Sequence, residues 1–343
     1  MGKRGVLLIN VGTPDEPTVK SVRAYLKEFL LDPDVIDIPA PLRHLLVRGI
    51  ILRVRPKKIA PLYEKIWMEE GSPLRVYSDR ITSSLDDMLE NTEFEFGMRY
   101  GNPSILSGLE KLRNAGVDEL LLLPMFPHYA QATTESSLKH AHKQLKAMGW
   151  NPSLLEMSHF ETENEYTIPL ANSIQPHLPP DTHLLFSYHG LPISHVKRID
   201  GSKKHCQKVK DCCSIKCEAN QMCYGHHCME TTKIVVGLLG LDTDRWSMSF
   251  QSRIGPVKWL EPSTMNKVEE LVKQGVKKLA IVAPAFLADG LETLEELDIG
   301  IREHFISLGG KELTVIKCLN DNPDWVEGLG KMITKKFKSK AVS

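Results

Sequence analysis

Short apolar runs alternate along the chain with segments whose apolar positions recur every three or four residues. The runs Gly5–Asn10, Phe94–Arg99, Glu119–Leu123, Ser153–Met157, His183–Tyr188, Trp246–Gln251 and Lys278–Ala283 predict strands. The periodic segments Val19–Leu30, Ile105–Asn114, Ser136–Met148, Asn266–Gln274, Leu291–Leu308 and Trp325–Lys338 predict helices. Strands that are apolar throughout and separated by helices belong to a parallel sheet covered on both faces. The expected fold class is therefore α/β.

The pattern also repeats. Gly116-Val117 leads through a strand to Pro124-Met125-Phe126, and Gly275-Val276 leads through a strand to Pro284-Ala285-Phe286. Upstream, Leu7 to Pro14 parallels Leu184 to Pro192, so the offset is about 160 to 177 residues. Matches kept in the same order predict a duplicated domain rather than a solenoid. The turn Met148-Gly149-Trp150-Asn151-Pro152 marks the expected boundary, giving domains 1–150 and 151–343. The last helix has no sequence signal assigning it to either half.

Composition narrows the picture modestly. The 343 residues carry 43 basic and 43 acidic side chains, a balance that argues against nucleic-acid binding. Hydrophobic content of 42% and charged content of 25% are ordinary for a soluble globular protein. The apolar run beginning at Gly5 is too short for a signal peptide or a membrane span, so the expected location is the cytoplasm, where thiols stay reduced. The stretch Arg43 to Arg55 is apolar with basic punctuation. It fits a greasy lip, a segment lying on a membrane surface in peripheral contact, or a core-packed helix with solvated arginines.

Four groups of residues have chemical potential. His189 follows a strand and precedes Gly190, at the strand end where open α/β sheets bind ligands; a turn histidine bonded to backbone has the same signature. Asp289, Glu292 and Glu296 are spaced three and four apart, which on a helix puts three carboxylates on one face and raises at least one pKa. An acidic first turn favoured by the helix dipole explains the first two as well. Arg99 and Tyr100 at a strand end, with Tyr63, Ser72 and Trp259, fit a planar carboxylated ligand. Thr133-Thr134-Glu135-Ser136-Ser137 reads as helix capping.

The fourth group is the densest. Six of seven cysteines, Cys206, Cys212, Cys213, Cys217, Cys223 and Cys228, fall within 23 residues, beginning 14 positions past Pro192. The spacing Cys-x5-Cys-Cys-x3-Cys-x5-Cys-x4-Cys matches no common zinc ribbon or ferredoxin pattern. In a reducing compartment such density points to metal rather than disulfides, with zinc and an iron–sulfur cluster both open. Four thiolates suffice for a [2Fe–2S] cluster, and the adjacent Cys212 and Cys213 are expected to contribute at most one of them.

Taken together, the motifs resemble the ferrochelatase family. The matching residues are Leu8 to Pro14, Gly71-Ser72-Pro73, Gly97-Met98-Arg99-Tyr100, Tyr129 with Thr133-Thr134 and Ser136-Ser137, and Phe186 to Pro192. Further on come Gln251 to Pro256, Trp259-Leu260, Asp289, Leu291 to Leu294 and Glu296-Leu297-Asp298. The resemblance implies two similar Rossmann-like domains, each a parallel sheet flanked by helices, and insertion of ferrous iron into a porphyrin, protoporphyrin IX being the expected substrate. It implies a catalytic role for His189 with Glu292 as its partner carboxylate, both near the iron, and Asp289 and Glu296 beside them. It also implies that Arg99, Tyr63 and Ser72 hold propionates or line the pocket. Gly290 stands where animal members have a histidine, Gln131 where they have their first cluster cysteine, and the last residues lack cysteine. The segment 206–228 resembles instead the internal cluster segment of some bacterial members, implying a [2Fe–2S] cofactor.

Three alternatives remain: a coproporphyrin ferrochelatase, a chelatase of the same fold placing cobalt or nickel in a related tetrapyrrole, and a non-enzymatic heme or iron–sulfur sensor. Arg99, Tyr100 and Trp259 argue against the second, and His189 with Glu292 against the third. Oligomeric state is not legible in the sequence.

Overall fold

The computed structural model describes residues 2–253 and 257–340. Chain contacts separate two compact units. The first comprises Met1–Phe126, Gln131–His159 and Val326–Ser343; the second comprises Pro127–Ala130 and Phe160–Trp325.

The first unit holds a parallel sheet of β1 (Arg4–Thr13), β2 (Thr92–Gly101), β3 (Glu119–Pro124) and β4 (Ser153–Glu156), in the order β2-β1-β3-β4. The second holds β5 (Thr182–His189), β6 (Trp246–Gln251), β7 (Lys278–Val282) and β8 (Glu312–Val315), in the order β6-β5-β7-β8. All ladder pairings are parallel. Leu7, Ile9, Leu109, Leu120 and Leu122 lie in one core, and Leu185, Leu271, Ile281, Leu297 and Phe305 in the other. The α/β class and the sheet type expected from the apolar runs are those observed.

The duplication extends to atomic detail. Ser104 Oγ accepts from Ser107 N–H at 3.2 Å to cap the helix Ile105–Asn114, and Ser263 Oγ accepts from Asn266 N–H at 3.1 Å to cap Thr264–Lys273. Each helix then ends in the same turn, Val117 N–H to Leu112 O and Val276 N–H to Leu271 O. Gly12, next to last in β1, and Gly190, just after β5, occupy corresponding positions in the two repeats. A Cβ at Gly12 would meet Tyr100 O at 1.8 Å, and one at Gly190 would meet Gln251 O at 2.7 Å. Only glycine lets the chain pass that close to the neighbouring backbone.

Some expectations differ from what is seen. The two units and the ranges 1–150 and 151–343 part company at three places: Pro127–Ala130 belongs to the second unit, Ser153–Glu156 pairs with β3 of the first sheet, and the last helix, Pro323–Lys340, joins the first unit from Val326 onward. There Phe337 lies under the Arg4 guanidinium, and Gly330 sits where a Cβ would touch Met88. The segment Leu291–Leu308 is not one α-helix: Glu292–Ile301 is wound as a π-helix and Arg302–Ser307 as an α-helix. The helices Leu52–Ile66, Pro73–Met88, Asn164–Ile174 and Tyr224–Leu239 are not expected from periodicity. Of the resemblance motif Gln251 to Pro256, residues 254–256 lie outside the described residues.

Candidate active site

In the second unit the site is built at the carboxyl ends of β5 and β6 and on the turn after β7. His189 is the last residue of β5, its ring 6.1 Å from that of Phe286. Its Cα partner in β6 is Gln251. The Gln251 side chain is buried and bonded at both ends: Oε1 accepts from Ser187 Oγ at 2.8 Å, and Nε2 donates to the Glu292 carbonyl at 2.9 Å. That amide therefore fixes where the helix carrying Glu292 begins relative to the strand carrying His189. Trp259 stands close over Gly190, where an added Cβ would lie 3.4 Å from the indole, and Trp259 bridges to Pro192.

The three acidic residues are not one helical face. Asp289 precedes the helix, buried, and its carboxylate is fully engaged. Asn320 Nδ2 donates to it at 2.7 Å, Thr293 Oγ1 at 2.9 Å, and the Cys318 N–H at 3.3 Å. Glu296 accepts from Ser252 N–H at 2.8 Å and from the Ser252 hydroxyl, holding a residue at φ +62°. Among the described residues Glu292 makes no such side-chain anchor. Burial pushes its carboxyl above the ordinary value of 4.5, its own backbone N–H and His189 pull it back, and Glu296 pushes it further up. The arrangement thus contains one carboxyl biased toward holding a proton, beside a histidine.

Arg99 and Tyr100, in the first unit, belong to a buried network centred on Asp32. Arg99 pairs with the Asp32 carboxylate and donates from Nε to Ser136 Oγ at 2.8 Å. Tyr100 Oη and Ser136 Oγ donate to the same Asp32 oxygen at 2.8 and 2.7 Å. Burial works to raise the Asp32 carboxyl, but the bonds from Ser136, Asp34 N–H and Tyr100, with the Arg99 charge, outweigh it and leave it lowered. The Tyr100 phenol is pushed well up by burial. Tyr100 therefore points inward rather than toward a ligand. Ser136, expected only as a capping residue, is the hydroxyl that joins Arg99 to Asp32. Ser72 caps the helix Pro73–Met88, accepting from Arg75 N–H at 3.4 Å, and Tyr63 packs edge-on against Trp67.

The cysteine segment folds as turns with a short 3-10 helix, Glu218–Asn220, and runs into the helix Tyr224–Leu239, which carries Cys228. Asp200 accepts the N–H groups of His205 and Cys206 at 2.9 and 2.8 Å, and Asn220 donates to the carbonyls of Cys212 and Ile215. The thiols fall into three settings. Cys223 receives hydrogen bonds from Cys206 and Cys213, and then from the His226 and Gly225 N–H groups of the helix N-terminus, which together pull its thiol down toward thiolate. Cys212 Sγ lies 4.0 Å from Cys213 Sγ. Cys217 instead lies 3.7 Å from the His205 ring, and Cys228 is fully buried beside Tyr224. Cys206 and Cys213 thus converge on Cys223 at this helix end, with Cys212 beside Cys213.

Sequence reasoning does not single out Asp32, Gln251, Ser252, Asn320 or Tyr224 as supporting residues. Gln251 and Ser252 lie inside a motif that carries the resemblance, whereas the other three lack a sequence signal.

Residues 3–337 match the family model described as Ferrochelatase. The chain is 40% identical over 338 residues to the ferrochelatase of Stutzerimonas stutzeri (strain A1501), covering 98% of each chain. It is 41% identical over 334 residues to that of Azotobacter vinelandii, covering 97% of this chain and 98% of the relative. It is 40% identical over 336 residues to that of Bdellovibrio bacteriovorus, covering 97% and 99%. Among solved structures, SirB from Bacillus subtilis with Fe3+ aligns with a TM-score of 0.57 at 9% identity, covering 97% of this chain and 95% of that one. A cobalt complex of the sirohydrochlorin chelatase SirB from Bacillus subtilis subspecies spizizenii aligns with a TM-score of 0.51 at 11% identity, with the same coverage. Below 25% identity these two speak for the fold alone.

Proposed function

Because the chain belongs to the ferrochelatase family, we propose that it is a metal chelatase that inserts ferrous iron into a porphyrin to form heme, with protoporphyrin IX as the porphyrin. The observation that carries the reading is His189 at the end of β5 beside a Glu292 carboxyl raised by burial. Metallation exchanges two pyrrole N–H protons for one Fe2+, so the iron keeps its charge and no electron is transferred. The enzyme must accept protons while a cation arrives.

His189 is the group suited to receive a pyrrole proton, having one ring nitrogen available as an acceptor when neutral. Glu292 takes protons onward, because a carboxyl with a raised pKa binds and releases them nearer neutrality than an exposed one. Glu296 guides the cation and holds Ser252, and Asp289 sets the turn from which Glu292 projects. Distorting the flat macrocycle exposes its nitrogen lone pairs at a cost offset by binding. We assign porphyrin contact to Arg99, Tyr63, Ser72 and Trp259, and to Tyr100 the task of orienting Arg99 through Asp32. An anaerobic assay with Fe2+ and either protoporphyrin or coproporphyrin tests the assignment. Heme formation with faster turnover of protoporphyrin is expected; faster turnover of coproporphyrin would reassign the substrate, and no metallation of either would refute it.

The cysteine donors fit a [2Fe–2S] cluster, which we assign to Cys206, Cys212, Cys213 and Cys223. Both members of the adjacent pair are included, against the expectation that at most one would serve, because both sulfurs face the same group. When bound, the cluster would cross-link the segment. Protein purified anaerobically should carry about two irons and two sulfides per chain, and retain them in Cys217→Ser and Cys228→Ser but not in Cys223→Ser. Stoichiometric zinc without sulfide would assign a zinc site instead.

The proposed location is the cytoplasm with peripheral membrane contact. Among the described residues no helix is long and apolar enough to cross a membrane. Leu42, Leu45, Ile50 and Val54 are 57%, 69%, 61% and 50% exposed. They share the segment with Arg48, Arg53 and Lys57, which line a groove with Arg23. Such a mixture suits anionic bilayers. Co-sedimentation with phosphatidylglycerol vesicles, lost on Leu45→Glu with Ile50→Glu, is the expected result; absence of wild-type binding would remove the claim.

A further inference from the structure

The peptide that joins His189 to Gly190 is held at both ends. Its N–H, on Gly190, donates to Gln251 O at 2.7 Å. Its carbonyl, on His189, accepts from Tyr224 Oη at 2.8 Å. On the other flank of β5, the pairing with β7 ends at Phe186 and Val282, so strand pairing there stops short of this carbonyl. A main-chain carbonyl without a ladder partner takes another donor, and here a side chain supplies it. A carbonyl oxygen can only accept, so the Tyr224 hydroxyl is the donor.

We propose that Tyr224 is a positioning residue for the metallation reaction, clamping the His189 peptide and tying it to the cysteine segment. Tyr224 is the first residue of its helix and follows Cys223 directly. Cys223 is the thiol on which Cys206 and Cys213 converge. One turn later Cys228 contacts Tyr224, and two turns later Thr232 bonds the Tyr188 hydroxyl at 2.8 Å, so one helix face grips two successive residues of β5. The ring of His128 stacks edge-on against Tyr224 at 6.0 Å and against Tyr188 at 5.2 Å, which keeps the phenol aimed.

The consequence is directional. Fixing both ends of a peptide plane fixes the backbone from which the His189 side chain projects. Through Gln251 the same plane is linked to the start of the Glu292 helix. Through Tyr224 it is linked to whatever holds Cys223. Metal bound by the cysteines would then act on turnover by immobilising the helix start, without supplying electrons or touching the porphyrin. This inference rests on the reading of His189 as the pyrrole-proton acceptor.

The test is Tyr224→Phe in the full chain, which keeps the ring and its packing and removes only the donor. Iron and sulfide content should be unchanged, KM for porphyrin should stay within about twofold, and kcat should fall about 10- to 100-fold, the scale of a small misplacement of a reacting group. The His189 ring resonances, assigned in histidine-labelled protein by their loss in His189→Ala, should shift or broaden. Cys223→Ser should lower kcat in the wild-type background and much less in the Tyr224→Phe background, because the two act through one connection. Wild-type kcat and unshifted His189 resonances in Tyr224→Phe, with His189→Ala inactive, would overturn the clamp while sparing the chelatase reading. Fully multiplicative effects of the two substitutions would overturn the link to the cysteines. If His189→Ala retained turnover, the chelatase reading of that residue would fail, and the resonance shift would still decide whether Tyr224 positions it.

Discussion

Gln251 Nε2 donates to the main-chain carbonyl of Glu292 at 2.9 Å, across 41 positions of sequence. One buried amide thereby joins the strand beside His189 to the first turn of the acidic helix. Replacing it with leucine keeps the volume and removes both bonds. The Glu292 carbonyl would lose this donor, while Ser187 retains Thr264 at 2.8 Å. A buried polar group left unpaired costs about 1–3 kcal/mol. Gln251→Leu should therefore lower stability by that order in urea titration and reduce metallation, with porphyrin binding largely kept. Unchanged turnover would show that the amide does not position Glu292.

Glu292 links activity to pH and stability in opposite senses. Its folded-state carboxyl is raised by burial, so the folded protein holds this proton more tightly than the unfolded chain does. The stability this contributes is full below the ordinary value of 4.5 and is lost as pH rises through the raised folded value. Glu292→Gln stays neutral throughout. Its melting temperature should gain on the wild type as pH rises from about 4.5, while metallation falls sharply at every pH. Glu296→Gln should cost less activity, since that carboxylate mainly holds Ser252. A melting difference independent of pH would contradict the assignment for Glu292.

Asp32 neutralises Arg99 and gathers the Tyr100 and Ser136 hydroxyls onto one oxygen. Asp32→Asn leaves the Arg99 cation partly buried and without its counter-charge. Breaking a buried pair from one side typically costs about 3–5 kcal/mol, and the partial exposure of Arg99 places the expected loss at the lower end. Urea titration measures it; a loss below about 1 kcal/mol, the range of exposed pairs, would show that the network is not structural.

Much of the architecture is legible in the sequence because each sheet is buried on both faces. Trp246–Gln251 and Ile105–Asn114 are predicted with the bounds observed. β8 escapes because it is a four-residue edge strand with a single fully buried position, Leu313. The helix Pro73–Met88 escapes because its apolar positions are interrupted by charged and hydroxyl residues. The helix Tyr224–Leu239 is hidden because its first turn reads as ligand chemistry. Within the site, His189 and Glu292 are legible from strand-end placement and acidic spacing. The separation of Asp289 from the acidic helix is not, because it depends on Asn320, 31 positions away. Nor is Tyr224, whose role depends on a main-chain atom 35 positions away.

The role of His189 is tested by the initial rate of ferrous iron insertion into protoporphyrin, under anaerobic conditions, for the wild type and His189→Ala side by side. The wild type should form heme. In His189→Ala the rate should be nearly abolished, with circular dichroism and porphyrin binding retained. A folded His189→Ala protein that metallates porphyrin at the wild-type rate would show that His189 is not the group that accepts the pyrrole protons.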